Sequence, residues 1–333
     1  MSKVLVIGGA GYVGAVLVPK LLAAGHDVRV LDLYMFGDDV LPNHPNLEQI
    51  KGDMRDLGLL EQVNQGVDAV IQLACISNDP SFELDPDLSK SINFDAIEPT
   101  VAAAKAHGAK RFIYASTSSV YGVSDAPEVT EEHPLVPLTD YNKYKGLSEP
   151  HVLKHNDEDF TVVVIRPATV CGYSPRLRLD LTVNILTAKS ISSKQVTVFG
   201  GSQKRPNIHV EDIAELYVEL LDMPREKIAG QIFNAGYENH TVTEIAHIVR
   251  DTVMREMPEL GDIEIVTTPS NDLRSYHVSS AKIKRVLGWE PKRGIDDAVV
   301  GLCNAFKEGR IPMDALSRPE FVNVKTVQLA GLR

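Results

Sequence analysis

Lys3-Val4-Leu5-Val6-Ile7-Gly8-Gly9-Ala10-Gly11-Tyr12-Val13-Gly14 is the stretch that decides the fold. Its first five residues are a short apolar run rich in β-branched side chains, the mark of a strand buried on both faces. The glycines that follow have separate tasks. Without a Cβ, Gly8 can make the tight turn out of the strand, Gly11 lets an anionic diphosphate approach the backbone, and Gly14 permits close helix–strand packing. Leu17, Leu21 and Leu22 then fall at helical spacing, and Gly25 is expected to stop that helix. The next strand, Val28–Leu33, carries Asp32 near its end. Strand, glycine turn, helix and strand with a late acid make the βαβ unit of a dinucleotide site, where N–H groups at the helix start attract the diphosphate. A carboxylate at Asp32 accepts hydrogen bonds from the adenosine ribose and repels a 2′-phosphate, so the expected cofactor is NAD rather than NADP.

The alternation continues outward from this unit. Leu47–Ile50 reads as a strand leading into Gly52-Asp53, where Asp53 either hydrogen-bonds an adenine amine or caps the following helix. Val67–Ala74 and Arg111–Ala115 read as strands, with a long helical region from about Asp85 to His107 between them. Ser116-Thr117-Ser118-Ser119-Val120-Tyr121-Gly122 follows the second strand, and Phe160–Ile165 is a further strand. Such alternation predicts an α/β fold: a Rossmann-type doubly wound parallel sheet with a smaller mixed α/β substrate-binding lobe. The expected division is 1–170 for the cofactor domain and 171–333 for the substrate lobe, some of whose elements should return to the first. Past Arg166 the pattern loosens, with loops expected over Gly172–Asp180 and Gly200–His209. A helix (Thr243–Met254), a strand (Ile263–Thr267) and a helix (Ser280–Leu287) follow. Past Met313 the polar, irregular pattern implies docking or fraying.

Asp140-Tyr141-Asn142-Lys143-Tyr144-Lys145 carries the second signal. On a helix, Tyr141 and Lys145 project from one face. A free phenol titrates near ~10 and is a poor base at neutral pH unless a cation favours its phenolate. The competing reading is a solvated helix face.

Composition narrows the class. The chain has 333 residues, 44% hydrophobic and 24% charged, as in a soluble globular enzyme. Its net charge of −11 argues against a nucleic-acid or anionic-membrane surface. No apolar run approaches a spanning helix or a secretory signal, and the odd set Cys75, Cys171 and Cys303 has no metal or redox spacing. A cytoplasmic protein is expected.

Taken in this order, the glycine turn, the Ser/Thr stretch and Tyr-x-x-x-Lys resemble the extended short-chain dehydrogenase/reductase family, and within it the nucleotide-sugar epimerase/dehydratase group. The resemblance covers roughly residues 3 to 300. It rests on Gly8-x-x-Gly11-x-x-Gly14, Asp32, Asp53, Thr117 before Tyr121, Tyr141-x-x-x-Lys145, Arg166-Pro167, the run Arg205–Asp212, and Arg274-x-Tyr276 ahead of Leu287-Gly288-Trp289. It implies that Tyr141 takes the sugar hydroxyl proton, that Lys145 binds the nicotinamide ribose and lowers the phenol pKa, and that Thr117 holds the same sugar oxygen. It also implies cofactor contacts from Tyr12, Val13, Met54, Leu73 and Ala74, a substrate contact from Ser118, and nucleotide diphosphate contacts from Arg205 and Arg274. Family resemblance further suggests a homodimer through the Asp85–His107 and Tyr141–His155 helices, with Pro150 kinking the second or ending its first half.

Departures from the family pattern shape the expected chemistry. Ile7 stands where many relatives have Thr, and Gln72-Leu73-Ala74-Cys75 where His-Leu-Ala-Ala is frequent. Sugar 4,6-dehydratases carry an Asp-Glu pair directly after the catalytic Thr; here Ser118 and Ser119 stand there, which argues against dehydration. The Cys of sugar 3,5-epimerase/reductases is replaced by Ser119. The stretch Arg166–Asn184 places Arg176, Arg178, Asp180 and Asn184 just after the sixth strand. It looks like the branch containing bacterial sugar 4-epimerases and heptose-nucleotide 4-dehydrogenases, which would make Arg176, Arg178 and Asn184 substrate residues; the alternative is a loop stitched by Arg–Asp pairs. The expected activity is NAD-dependent C4 epimerisation of a nucleotide sugar. Alternatives are a 4-dehydrogenase or ketoreductase with the same triad, and a non-catalytic NAD-binding sensor.

Overall fold

The central sheet has seven strands in the order β10-β6-β5-β4-β1-β2-β3, where β1 is Lys3–Ile7, β2 Asp27–Asp32, β3 Leu47–Lys51, β4 Ala69–Gln72, β5 Arg111–Ala115, β6 Thr161–Pro167 and β10 Gln231–Ala235. All its pairings are parallel. These relations come from a computed structural model that describes residues 1–124, 126–269, 275 and 277–331. Alternate residues of β1 go to opposite faces, as strand geometry requires. Val4 and Val6 join one buried cluster, and Leu5 and Ile7 join the other. Chain order reverses around β1, which lies between β2 and β4, and a crevice opens beyond the strand ends there.

The second half supplies the expected mixed lobe. β7 (Thr169–Cys171), β9 (Lys204–His209) and β11 (Glu238–Thr241) form a three-stranded sheet, with β9 parallel to β7 and antiparallel to β11. β8 (Gln195–Phe199) pairs with β12 (Glu264–Thr268). β10 returns to the main sheet, and the helix Val210–Asp222 packs against the first helix, Gly14–Ala23.

Two expectations change, and two open alternatives are narrowed. The Gly200–His209 stretch is not all loop, because β9 occupies Lys204–His209; that polar strand has no apolar alternation to announce it and is defined by β7 and β11. The Asp85–His107 region is helical but interrupted by a π turn at Ser91–Asp95, between Pro86–Lys90 and Ile97–Ala106. Pro150 does not end the helix at its own position, since Asp140–Leu153 runs three residues beyond it; the ring forfeits one bond, to Gly146 O, close to the C-terminal end. The tail docks. After two single turns it forms the helix Asn323–Ala330, with Leu179 N donating to Phe321 O at 2.8 Å and Asn323 buried.

Candidate active site

A cleft of about 570 Å³ opens at the carboxyl ends of the central strands. Its first wall is backbone. Gly8 has φ +85°, and a Cβ there would lie 2.5 Å from Ala74 N. Leu73 N and Ala74 N both donate to Ile7 O at 2.9 Å, so the end of β4 is clamped against the glycine turn. A Cβ on Gly14 would meet Gly9 O at 2.4 Å, so the close approach at Gly14 is to the turn rather than to a strand. Gly11, Tyr12 and Val13 line the cleft ahead of the helix that starts at Gly14.

Asp32 ends β2 and faces the cleft, with its carboxylate accepting from Ala10 N and Tyr34 N at 2.9 Å each. Burial raises its pKa, against those two hydrogen bonds. Asp53 also lines the cleft, but its partner is Arg55, whose Nη2 donates at 2.6 Å. Burial raises the Asp53 pKa and the Arg55 bonds more than reverse it, leaving it lowered. The capping role falls to Asp56, which accepts from Leu59 N. Met54 packs beneath, with its sulfur 3.5 Å from Gln72 Nε2.

The second wall is built from the end of β5 and the helix Asp140–Leu153. Thr139 caps that helix, accepting from Asn142 N, and its hydroxyl donates to Asp79 at 2.7 Å. Thr117, Tyr141 and Lys145 all reach the cleft. The Thr117 hydroxyl is 2.8 Å from the Ser119 hydroxyl, which donates to Asn142 Oδ1 at 2.6 Å. Sequence reasoning gave no role to Asn142 and weighed Ser119 only for a missing carboxylate or thiol. Ser118 is buried at the cleft wall. Beneath it, Arg166 grips Glu149 at 2.9 and 2.6 Å, while Glu149 accepts from Ser116 Oγ at 2.6 Å. Arg166 and Glu149 are 3% and 2% exposed, so the pair is desolvated and depends on mutual bonding.

Burial pushes the Tyr141 phenol well above its ordinary value; Cys75 and Asp79 push the same way, and Arg178 is the cation that opposes them. Lys145, one helical turn further along, donates its Nζ to Ala115 O and lies 4.5 Å from the centroid of Tyr114.

The Arg-rich loop forms the third wall and divides the expected substrate residues. Arg178 faces the cleft, pairs with Asp180 at 2.9 Å and donates to Ser77 Oγ at 3.2 Å. Arg205 lines the cleft from β9 and donates to Lys204 O at 3.1 Å, while Arg274 lies outside the described residues. Asn184 is not a cleft residue. It is fully buried, donates to Tyr12 OH, Gly172 O and Arg178 O, and accepts from Gly172 N. It is a staple that pins the loop to the glycine turn. Arg176 faces the cleft and donates to Asn323 Oδ1 from the C-terminal helix. Asn323 also donates to Ser77 Oγ at 2.7 Å; nothing in its local sequence signalled a place in this wall.

The profile of the NAD dependent epimerase/dehydratase family matches residues 4–236. The chain belongs to this family. It is an enzyme, and its cofactor is NAD. The glycine cradle fits that group, since a Cβ at Gly8 or Gly14 would collide with backbone and Asp32 stands at the end of β2. Among curated relatives, a UDP-glucose 4-epimerase of Lactobacillus helveticus is 27% identical over 322 residues, 89% of this chain and 94% of that protein. UDP-glucuronic acid decarboxylase 4 of Arabidopsis thaliana is 29% identical, over 92% of this chain and 69% of that one. An epimerase of Methanothermobacter thermautotrophicus superposes with a TM-score of 0.83 at 26% identity, covering 94% of each chain. Relatives named for different reactions thus match most of this chain's length. Among the described residues no helix is long and apolar enough to cross a membrane, and no group of side chains is placed to hold a metal ion.

Proposed function

We propose that the protein is a nucleotide-sugar 4-epimerase, working by oxidation at C4 and re-reduction from the opposite face. The observation that carries this reading is the convergence of Thr117, Tyr141 and Lys145 on one cleft, with Ser118 and Ser119 where a dehydratase would need carboxylates. When bound, NAD supplies a hydride acceptor at its nicotinamide C4. Tyr141 holds and releases the proton of the 4-hydroxyl, and Lys145, lining the same cleft, binds the nicotinamide ribose and favours the phenolate, with Arg178 opposing the effect of burial. Thr117, backed by Ser119 and Asn142, positions the sugar oxygen. Arg178 and Arg205 offer planar donors suited to a diphosphate. The relatives named UDP-glucose 4-epimerase support this choice of reaction.

Tyr141→Phe removes the proton carrier and little volume. Turnover of a nucleotide sugar identified by screening UDP-, GDP-, dTDP- and CDP-sugars for C4 exchange should fall roughly 10³-fold, with NAD content unchanged. Undiminished turnover would overturn the proposal. Net NADH formation without exchange would favour a 4-dehydrogenase instead.

We also propose a homodimer through the exposed faces of the helices within Pro86–Ala106 and Asp140–Leu153, where Leu147 is 44% exposed.

A further inference from the structure

Arg176 is bonded differently from the other arginines of the cleft. It is 4% exposed, and among the described residues only its Nη2 has a hydrogen-bond partner, Asn323 Oδ1. Nε and Nη1 are buried with no hydrogen-bond acceptor among the described residues. Its guanidinium lies 3.5 Å from the centroid of Phe36, in the segment that follows β2. The nearby carboxylates are committed: Asp180 to Arg178 and Asn78, and Asp32 to Ala10 N and Tyr34 N. Burial and the like charge of Arg178 push the Arg176 pKa down to about 9, while Asp180, Asp32 and Tyr12 pull it back. A charged fork with two unsatisfied nitrogens is costly to bury unless it meets an anion. The cleft gives the anion's place: Arg176 lines it together with Tyr12 of the glycine turn that receives a diphosphate, and with Asp32, which marks the adenosine ribose, and it lies against Phe36 just after β2.

We propose that Arg176 recognises the diphosphate of the NAD cofactor, closing with a side chain the anion site that the glycine turn opens with backbone N–H groups. This replaces the sequence expectation that Arg176 binds the sugar substrate. It rests on NAD as the cofactor and is independent of which sugar is turned over. Asn323 acts as the positioning residue, so the C-terminal helix becomes part of the cofactor site.

The test uses the full chain with NAD bound, displaced by ADP and by adenosine, with UDP measured in parallel. In Arg176→Met, the preference for ADP over adenosine should fall about 10- to 100-fold, the range for losing hydrogen bonds to a charged group. Arg176→Lys should recover part of it, because it keeps the charge and loses the fork. Equal losses for ADP and adenosine would overturn the proposal in favour of packing against Phe36. A loss confined to UDP would overturn it in favour of a substrate role. Because turnover is not the readout, the assignment can fail while the epimerase reading stands.

Discussion

The glycine-turn wall and the Arg-loop wall of the cleft are made of different materials. At the turn, main chain touches main chain, and the residues are chosen by what they lack. At the loop, the wall consists of long polar side chains whose partners come from distant parts of the chain: Arg178 on Ser77, Asn184 on Tyr12, and Arg176 on Asn323, 147 residues away. The difference teaches where one fold can hold a cofactor constant and vary the reaction. A backbone cradle tolerates almost no substitution. A side-chain wall can be re-cut as long as every buried donor finds a partner.

Breaking the backbone wall should have the largest effect. Gly8→Ala forces a side chain into a positive-φ position and onto Ala74 N at 2.5 Å. Stability to denaturant should drop by about 2 to 4 kcal/mol, with NAD content falling in parallel; a variant that melts and binds like the parent would refute the steric account. The side-chain wall should give way more gently. Asn184→Leu leaves the Gly172 N–H and the Tyr12 hydroxyl without their amide, at a cost of about 1 to 3 kcal/mol. The KM for the nucleotide sugar should rise more than NAD is lost, and a reversed order in steady-state kinetics and nucleotide content would show that Asn184 serves the cofactor side.

The smallest effect concerns the seam between the halves. Burial raises the Glu215 pKa, but hydrogen bonds from Arg293 and Lys20 outweigh it and bring the carboxyl down to about 2. A carboxyl depressed on folding adds stability above its ordinary value of 4.5 and loses it as pH falls towards 2. The gap in melting temperature between the parent and Glu215→Gln should therefore be full at neutral pH, shrink below about pH 4.5 and close near pH 2. A pH-independent gap would mean that the pair contributes through packing alone.

How much was readable follows the same division. β1, the glycine turn, β2 and Asp32 were legible because local rules suffice: an apolar β-branched run, missing Cβ atoms and an acid at a strand end. Tyr141 and Lys145 were legible as a helical pair, and both line the cleft. β9 was not, since Lys204-Arg205-Pro206-Asn207-Ile208-His209 takes its extended form from the strands on either side. Asn184 looked like a substrate residue because the stretch Arg166–Asn184 stands just after the sixth strand and resembles a branch of the family; only three dimensions show its amide fully occupied inside the protein. Asn323 carried no local sign at all, because its role depends on where the C-terminal helix lands.

The π turn at Ser91–Asp95 has a consequence in terms of insertions and deletions. Ala96 N reaches back to Ser91 O, so this turn holds one residue more than an α-helical turn would. Inside it, Asn93 grips both main-chain groups of Ile76, at 2.8 Å through Oδ1 and 2.9 Å through Nδ2, just after Cys75 in the cleft wall. Deleting one residue there would restore a regular helix and give a chain with no obvious local defect. It would also rotate everything beyond the deletion by about 100° and release the Ile76 strap. Such a deletion is locally favourable and globally damaging, so alignment gaps at this turn should be read as changes to the cleft rather than as neutral loop drift.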